Sequence, residues 1–167
     1  MYTTVAELVA EWRGESALTQ NVMDALTDAS LAQPVSPEGR TLGSIAWHIV
    51  TSTPEFLAQF GLTPPGESET PSTVPSTAQA IADAFRKVSG AAADAMEQQL
   101  TGQSLQEVQD VFGRPLTKAA TVLLLLKHHN HHRGQMTVLM RQAGIKVPGV
   151  YGPTKEDWSQ MGMEAPL

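Results

Sequence analysis

Apolar residues recur at spacings of three and four in four long stretches of this chain, and this periodicity constrains the fold more than any other feature. Such spacing places the apolar side chains on one face of an α-helix. No convincing run of alternating strand residues accompanies these stretches. The sequence therefore predicts an all-α protein, a four-helix bundle with long loops and an irregular C-terminal tail. The chain has 167 residues, enough for a sizeable core, and we expect residues 1–167 to form a single domain.

Capping residues and prolines set the expected limits of the first two helices. Thr4 and Glu7 form a candidate capping box at the start of the first helix, which should end between residues 28 and 30. The second helix should run from about residue 41 to about residue 60. Pro54 lies inside it and is expected to kink it or to start a new segment, because proline removes a helical hydrogen bond.

The same signals place the other two helices. Ser76 and Gln79 form a candidate capping box for a third helix, which should end near Leu100. The fourth helix should run from near Thr117 to Gly144, a glycine suited to the position that follows a helix. At 1.5 Å per residue the fourth helix would be ~40 Å long.

Three segments between and after the helices are less regular. Residues 62–76 hold four prolines and should form a surface loop. Residues 101–116 fit either a short helix or an extended segment with a turn at Gly113. The tail from residue 146 onward is rich in proline and glycine and should lie over the bundle.

Charge and composition exclude several classes of function. The net charge is −6 with only 11 Lys and Arg residues, which argues against nucleic-acid binding and against a basic membrane-binding patch. The absence of cysteine excludes disulfides, thiolate ligands and a cysteine nucleophile. The longest aliphatic run, residues 122–126, is too short to span a bilayer, and no signal peptide is evident near the N-terminus. We therefore expect a cytoplasmic protein.

Four of the five histidines fall within residues 128–132, in the middle of the fourth helix. His128 and His132 lie on the inward seam that includes Leu125, Met136 and Leu139. Histidines four residues apart are offset by only ~40° around a helix, so both imidazoles can reach one cation.

The fifth histidine, His48, lies close to the apolar face of the second helix. His48, His128 and His132 would together supply three imidazole ligands from two helices, which leaves positions open for water or substrate. His129 and His131 flank the seam, and we expect them to contact solvent, to support the ligands or to form hydrogen bonds between helices. The alternative is that the histidines are hydrogen-bonded core residues or a polar flank.

Two segments of the chain resemble the DinB/YfiT-like family. The segment HHNHHRGQMTVLMRQAGIKVPGVYGP is similar to its C-terminal signature, in which a histidine four residues before a final His-Arg-Gly-Gln closes a metal site. Here those residues are His128 and then His132, Arg133, Gly134 and Gln135. The earlier segment TLGSIAWHIVTSTPEFL resembles the second-helix motif of the family, whose histidine matches His48.

The resemblance implies a four-helix bundle with a three-histidine site for a divalent metal ion, usually nickel or zinc, and often a homodimer. Family members with known activity resemble metal-dependent thiol S-transferases that use low-molecular-weight thiols such as bacillithiol or mycothiol. Many other members have no assigned reaction. A thiol nucleophile here would have to come from a co-substrate, since the chain has no cysteine.

Three functions remain open from the sequence. They are a metal-dependent thiol S-transferase acting on a small-molecule substrate, a metal-dependent hydrolase, and a non-enzymatic metal-binding or dimeric interaction protein. No side chain stands out as a general base, so the catalytic residues are unknown. Asn21, Asp24 and Tyr151 are candidates for a cleft, although each also fits an ordinary surface or packing role.

Residues beside the histidines also admit two interpretations each. Arg133 fits a surface charge or the partner of a carboxylate, in this chain or across a dimer interface. Gly134 fits close helix packing or an incidental position. Trp47 could form a wall of the pocket or belong to the core.

Overall fold

Four long helices form the body of the protein in a computed structural model that describes residues 2–65 and 72–166. They are α1 Val5–Asp24, α2 Leu42–Gln59, α3 Ala78–Gln99 and α4 Lys118–Gln142. Helices α1 and α2 each pack against both α3 and α4. The predicted all-α four-helix bundle is confirmed, while the single-domain assignment stays a prediction. Among the described residues, no helix is both long and apolar enough to cross a membrane.

Local capping explains where the helices begin. The predicted box at Thr4 is present, with the Glu7 amide donating to the Thr4 hydroxyl and the Glu7 carboxylate accepting from the Thr4 amide. Thr41 and Ser44 form an equivalent pair at the start of α2. The box predicted at Ser76 is wrong by one residue, because the hydroxyl of Thr77 caps α3.

The two helices that carry the candidate site run without a break. Pro54 lies inside α2 and does not start a new segment, so that part of the prediction is wrong. Helix α4 begins after its cap Thr117 and ends as predicted, with Gly144 in the left-handed conformation at φ 73°. Helix α1 ends at Asp24, earlier than expected, because Thr27 caps a separate 3-10 helix, Asp28–Ala32.

The ambiguous segment is mainly extended. A 3-10 turn at Ser104–Gln106 precedes strands β1 Val108–Val111 and β2 Arg114–Thr117, which pair as an antiparallel hairpin. The turn between them includes Gly113, as the extended alternative predicted. Of the predicted loop 62–76, residues 66–71 lie outside the described residues.

The C-terminal tail is not wholly irregular, which corrects the prediction. A short helix, α5 Lys155–Gln160, begins where Thr154 and Asp157 form a capping box. Arg141 of α4 holds this helix through both carboxylate oxygens of Glu156, at 2.6 and 2.8 Å.

The described residues form two apolar clusters inside the bundle, one around Trp47 and Phe85 and the other around Trp12 and Phe60. Along each long helix, polar residues separate the members of one cluster from those of the other. These buried polar residues are Ser16, Thr19, Ser52, Thr53, Ser89, His129, His132 and Arg133. A polar layer therefore crosses the middle of the bundle, and the candidate site lies at one edge of it.

Candidate metal centre

The three predicted ligands come together between α2 and α4. The ring centroid of His48 lies 5.0 Å from that of His128 and 4.8 Å from that of His132. The centroids of His128 and His132 are 4.5 Å apart, as expected for side chains one turn apart on a helix. Each ring offers one nitrogen, and these three nitrogens all lie within 4.8 Å of one another. We refer to these three residues as the histidine triad.

The triad is well suited to stay uncharged. Burial is the main reason that the pKa of His48, His128 and His132 is lowered, to about 4 for His128. The positive charge of Arg40, just before α2, lowers the pKa of all three in the same direction. A neutral imidazole has a free nitrogen lone pair, which is the form that binds metal.

His128 has an unsatisfied atom within the triad. Its Nε2 is buried and has no hydrogen-bond partner among the described residues. A buried polar nitrogen without a partner costs free energy, and a bound cation would satisfy it.

Gln135 orients the third ligand, a role that the sequence analysis did not assign. The Nδ1 of His132 lies 2.8 Å from Oε1 of Gln135. An amide oxygen can only accept, so Nδ1 carries the proton and the Nε2 lone pair of His132 is left free. The amide group of Gln135 also reaches Nε2 of His131 at 3.3 Å. The spacing of three residues between His132 and Gln135 was the signal that could have indicated this pairing.

His129 is not part of the triad. It is 2% exposed, so the expectation of solvent contact is wrong for this residue, whereas a hydrogen bond between helices is confirmed. The Thr53 hydroxyl donates to the carbonyl of Ile49 and therefore accepts from Nε2 of His129 at 3.1 Å. That nitrogen thus carries a proton and has no lone pair for a metal. Burial lowers the pKa of His129 to about 3.

The separation of the triad nitrogens fits a single ion with a small adjustment. Two nitrogens bound at ~2.0–2.1 Å to the same ion are at most ~4.2 Å apart. A pair at the observed upper limit of 4.8 Å would have to close by ~0.6 Å. Neutral rings, an orphaned nitrogen and an oriented tautomer therefore make a donor set that fits a divalent metal ion.

Arg133 follows His132 and turns away from the triad into the polar layer. It is 2% exposed and binds the Glu15 carboxylate of the same chain at 2.7 Å, so it is not a surface charge. It also donates to Thr19 at 2.9 Å and to Asn130 at 2.8 Å. The phenol of Tyr151 contacts Arg133 and donates to Glu15, which ties the tail to α1. This network anchors the middle of α4 against α1.

Asn21, Asp24, Trp47 and Gly134, which the sequence analysis also considered, do not belong to the triad. Asp24 pairs with Arg86 on the surface, and Asn21 is exposed. Trp47 is 5% exposed and belongs to the core. A side chain at Gly134 would meet nothing within 4 Å, so that glycine does not serve close packing. A groove of about 900 Å³ runs along α1 beside Tyr151, but no triad residue lines it.

Comparison with known proteins agrees with this architecture. A family model described as the DinB family matches residues 1–164. The protein YrdA of Bacillus subtilis strain 168, described as uncharacterised, is 42% identical over 166 residues, which cover 99% of each chain.

Two crystal structures share the fold. A DinB-like protein from Bacillus cereus ATCC 10987 is 46% identical with a TM-score of 0.85, covering 90% of this chain and 100% of that one. The DinB-like protein YjoA from Bacillus subtilis is 19% identical with a TM-score of 0.68, covering 89% of this chain and 99% of its own. At that identity YjoA supports the fold alone.

Proposed function

We propose that this chain, which belongs to the DinB family, binds one divalent metal ion through His48, His128 and His132. The observation that carries the proposal is the convergence of three imidazole nitrogens within 4.8 Å of one another. The buried Nε2 of His128, which has no hydrogen-bond partner in the described part of the chain, adds to this support. Imidazole nitrogen suits both zinc and nickel, and we propose one of these as the ion.

We further propose that the site is that of an enzyme, a thiol S-transferase acting on a small-molecule electrophile. In this reaction the thiol sulfur forms a bond to carbon, the leaving group departs with the electron pair of its own bond, and the thiol proton passes to solvent. When bound, the metal ion would lower the pKa of a thiol or water placed beside it. His48 and His128 are only half-buried, which supports access for a co-substrate from solvent.

Three features of the protein keep the triad in a form and position that can bind a metal ion. Burial lowers the pKa of the triad histidines and so favours their neutral form. The hydrogen bond from Nδ1 of His132 to Gln135 leaves the lone pair on Nε2 of His132. The ion pair of Arg133 with Glu15 holds α4 in place next to His132. Rigid support of this kind keeps ligands near a productive geometry.

We propose a cytoplasmic homodimer that uses a low-molecular-weight thiol and has neither a nucleic-acid nor a membrane partner. The net charge of −6 and the small number of basic residues support the lack of nucleic-acid and membrane partners. The homodimer and the thiol are what the resemblance to the family implies.

A conjugation assay tests the enzymatic proposal. Untagged protein loaded with zinc or nickel is mixed with bacillithiol or mycothiol and 1-chloro-2,4-dinitrobenzene, and the thioether product is followed by absorbance and mass. We expect turnover that is lost in His128→Ala. Release of chloride with formation of the dinitrophenol would instead indicate a hydrolase. If the protein is fully loaded with metal but forms neither product, both the transferase and the hydrolase are contradicted for this electrophile. That result would favour a non-enzymatic metal-binding protein.

A further inference from the structure

A phenylalanine occupies a strained position at the tip of the β1–β2 hairpin. Phe112 has φ 53° and Gly113 has φ 77°, so both residues of the two-residue turn are in the left-handed region. This turn type favours Asn-Gly, and a bulky side chain at its first position is an outlier that costs free energy. Such strain tends to persist where a residue serves a function.

Burial in the core does not explain why Phe112 occupies this position. Its side chain remains 59% exposed, although it is one of the larger apolar groups of the chain. The turn is otherwise secured by the amide of Gly113, which donates to the Asp110 carboxylate at 2.9 Å. An asparagine at this position would suit the backbone and would expose less apolar surface.

The ring of Phe112 continues an aromatic row that begins at the triad. Phe56, two turns beyond His48 on α2, lies 5.3 Å from the ring of His128. Phe112 packs edge-on against Phe56 at 5.3 Å. The row therefore runs from a metal-ligand position outward to solvent, with apolar surface still uncovered at its outer end.

We propose that Phe56 and Phe112 form the wall of a ligand subsite beside the triad, which accepts an aromatic or branched apolar group. The ligand would place its sulfur or oxygen at the triad and its apolar group against the two rings. This inference rests on the proposed function, because it assigns the substrate class of the same site. Stacked and edge-on aromatic contacts supply both affinity and orientation for such a group.

Cobalt provides a spectroscopic test that needs no turnover. Apo protein is loaded with Co²⁺ and titrated with benzyl mercaptan and with 2-mercaptoethanol, and each dissociation constant is read from the visible spectrum of the cobalt. In Phe112→Asn we expect benzyl mercaptan to bind about threefold to tenfold more weakly, the size of one lost aromatic contact. The affinity for 2-mercaptoethanol should stay the same. Val108 is an exposed apolar residue on the same hairpin, so Val108→Thr is the matched control. This variant should bind both thiols with the affinity of the wild-type protein.

The outcomes separate this inference from the proposed function. If wild-type protein fails to bind Co²⁺, both are overturned. If Co²⁺ binds but Phe112→Asn leaves the ratio of the two thiol affinities unchanged, the subsite alone is overturned. If Phe112→Asn loses the helical circular-dichroism spectrum, Phe112→Gly replaces it, because glycine also adopts the left-handed conformation. The same ratio decides the result for that variant.

Discussion

His132 donates its Nδ1 proton to the side-chain oxygen of Gln135, 2.8 Å away and one turn along α4. This bond sets both the tautomer and the rotation of the imidazole. Support of this kind typically changes metal affinity by ~10–100-fold. The relationship lies within one helix, so it can be altered without disturbing the packing between helices.

Gln135→Ala is expected to weaken zinc binding by ~10–100-fold while leaving the fold intact, because His132 loses the acceptor that orients it. Isothermal titration of untagged apo protein measures the change. Gln135→Glu keeps an acceptor and should retain the affinity. Thr137→Ala, which removes a hydroxyl that donates to the Gly134 carbonyl and does not contact the triad histidines, is the control. Equal affinity in the Ala and Glu variants would show that Gln135 does not orient the ligand.

Replacing any one of His48, His128 and His132 by alanine is expected to abolish tight metal binding, because each supplies one of the three converging nitrogens. Elemental analysis of untagged protein measures metal per chain and avoids nickel taken up by a purification tag. His131→Ala is the matched control, since His131 is exposed and lies outside the triad. The same metal content in all four variants would rule out the triad as the site.

The metal-free protein should lose stability as the pH falls, in part through His129. Its pKa is about 3 in the folded protein and ~6.5 in an unfolded chain, so between these values the unfolded state binds more protons. The free energy of unfolding therefore falls as the pH drops from ~6.5 towards 3, by up to ~2 kcal/mol at pH 5 from this residue.

Urea unfolding in the presence of a chelator at pH 7 and pH 5 tests this expectation. His129→Met removes the titrating group and should reduce the loss of stability between the two pH values. The triad histidines titrate in both proteins, so the difference between the two proteins isolates His129. An identical loss in both would show that the burial of His129 does not contribute to acid sensitivity.

Glu15→Ala is expected to lower the free energy of unfolding by ~2–3 kcal/mol, because it leaves the buried guanidinium of Arg133 without its carboxylate. Equilibrium urea unfolding measures the change. Glu11→Ala removes an exposed carboxylate one turn away and should stay within ~0.5 kcal/mol of wild type. Should the two variants lose equal stability, the ion pair would not anchor α4.

Much of the fold could be read from local patterns in the chain. Periodic apolar residues predicted all four long helices, and capping residues placed the start of α1 and the end of α4. These signals are local, since a cap or a helical face depends on residues within a few positions. The predicted end of α1 and the predicted cap of α3 were wrong because neighbouring residues offer competing caps. Helix α5 was missed because the prolines and glycines of the tail concealed the capping box at Thr154 and Asp157.

The sequence by itself determined which histidines share one face of α4, because the spacing of four residues sets their direction. Only the tertiary structure decided that His48 meets them, that His129 is buried against Thr53, and that Arg133 pairs with Glu15. The hairpin tip likewise reaches Phe56 only in the folded chain. Each of these contacts joins residues on different helices or strands. Whether such residues meet and become buried depends on how the helices and the hairpin pack together. The spacing of residues within a single helix or strand does not encode that packing.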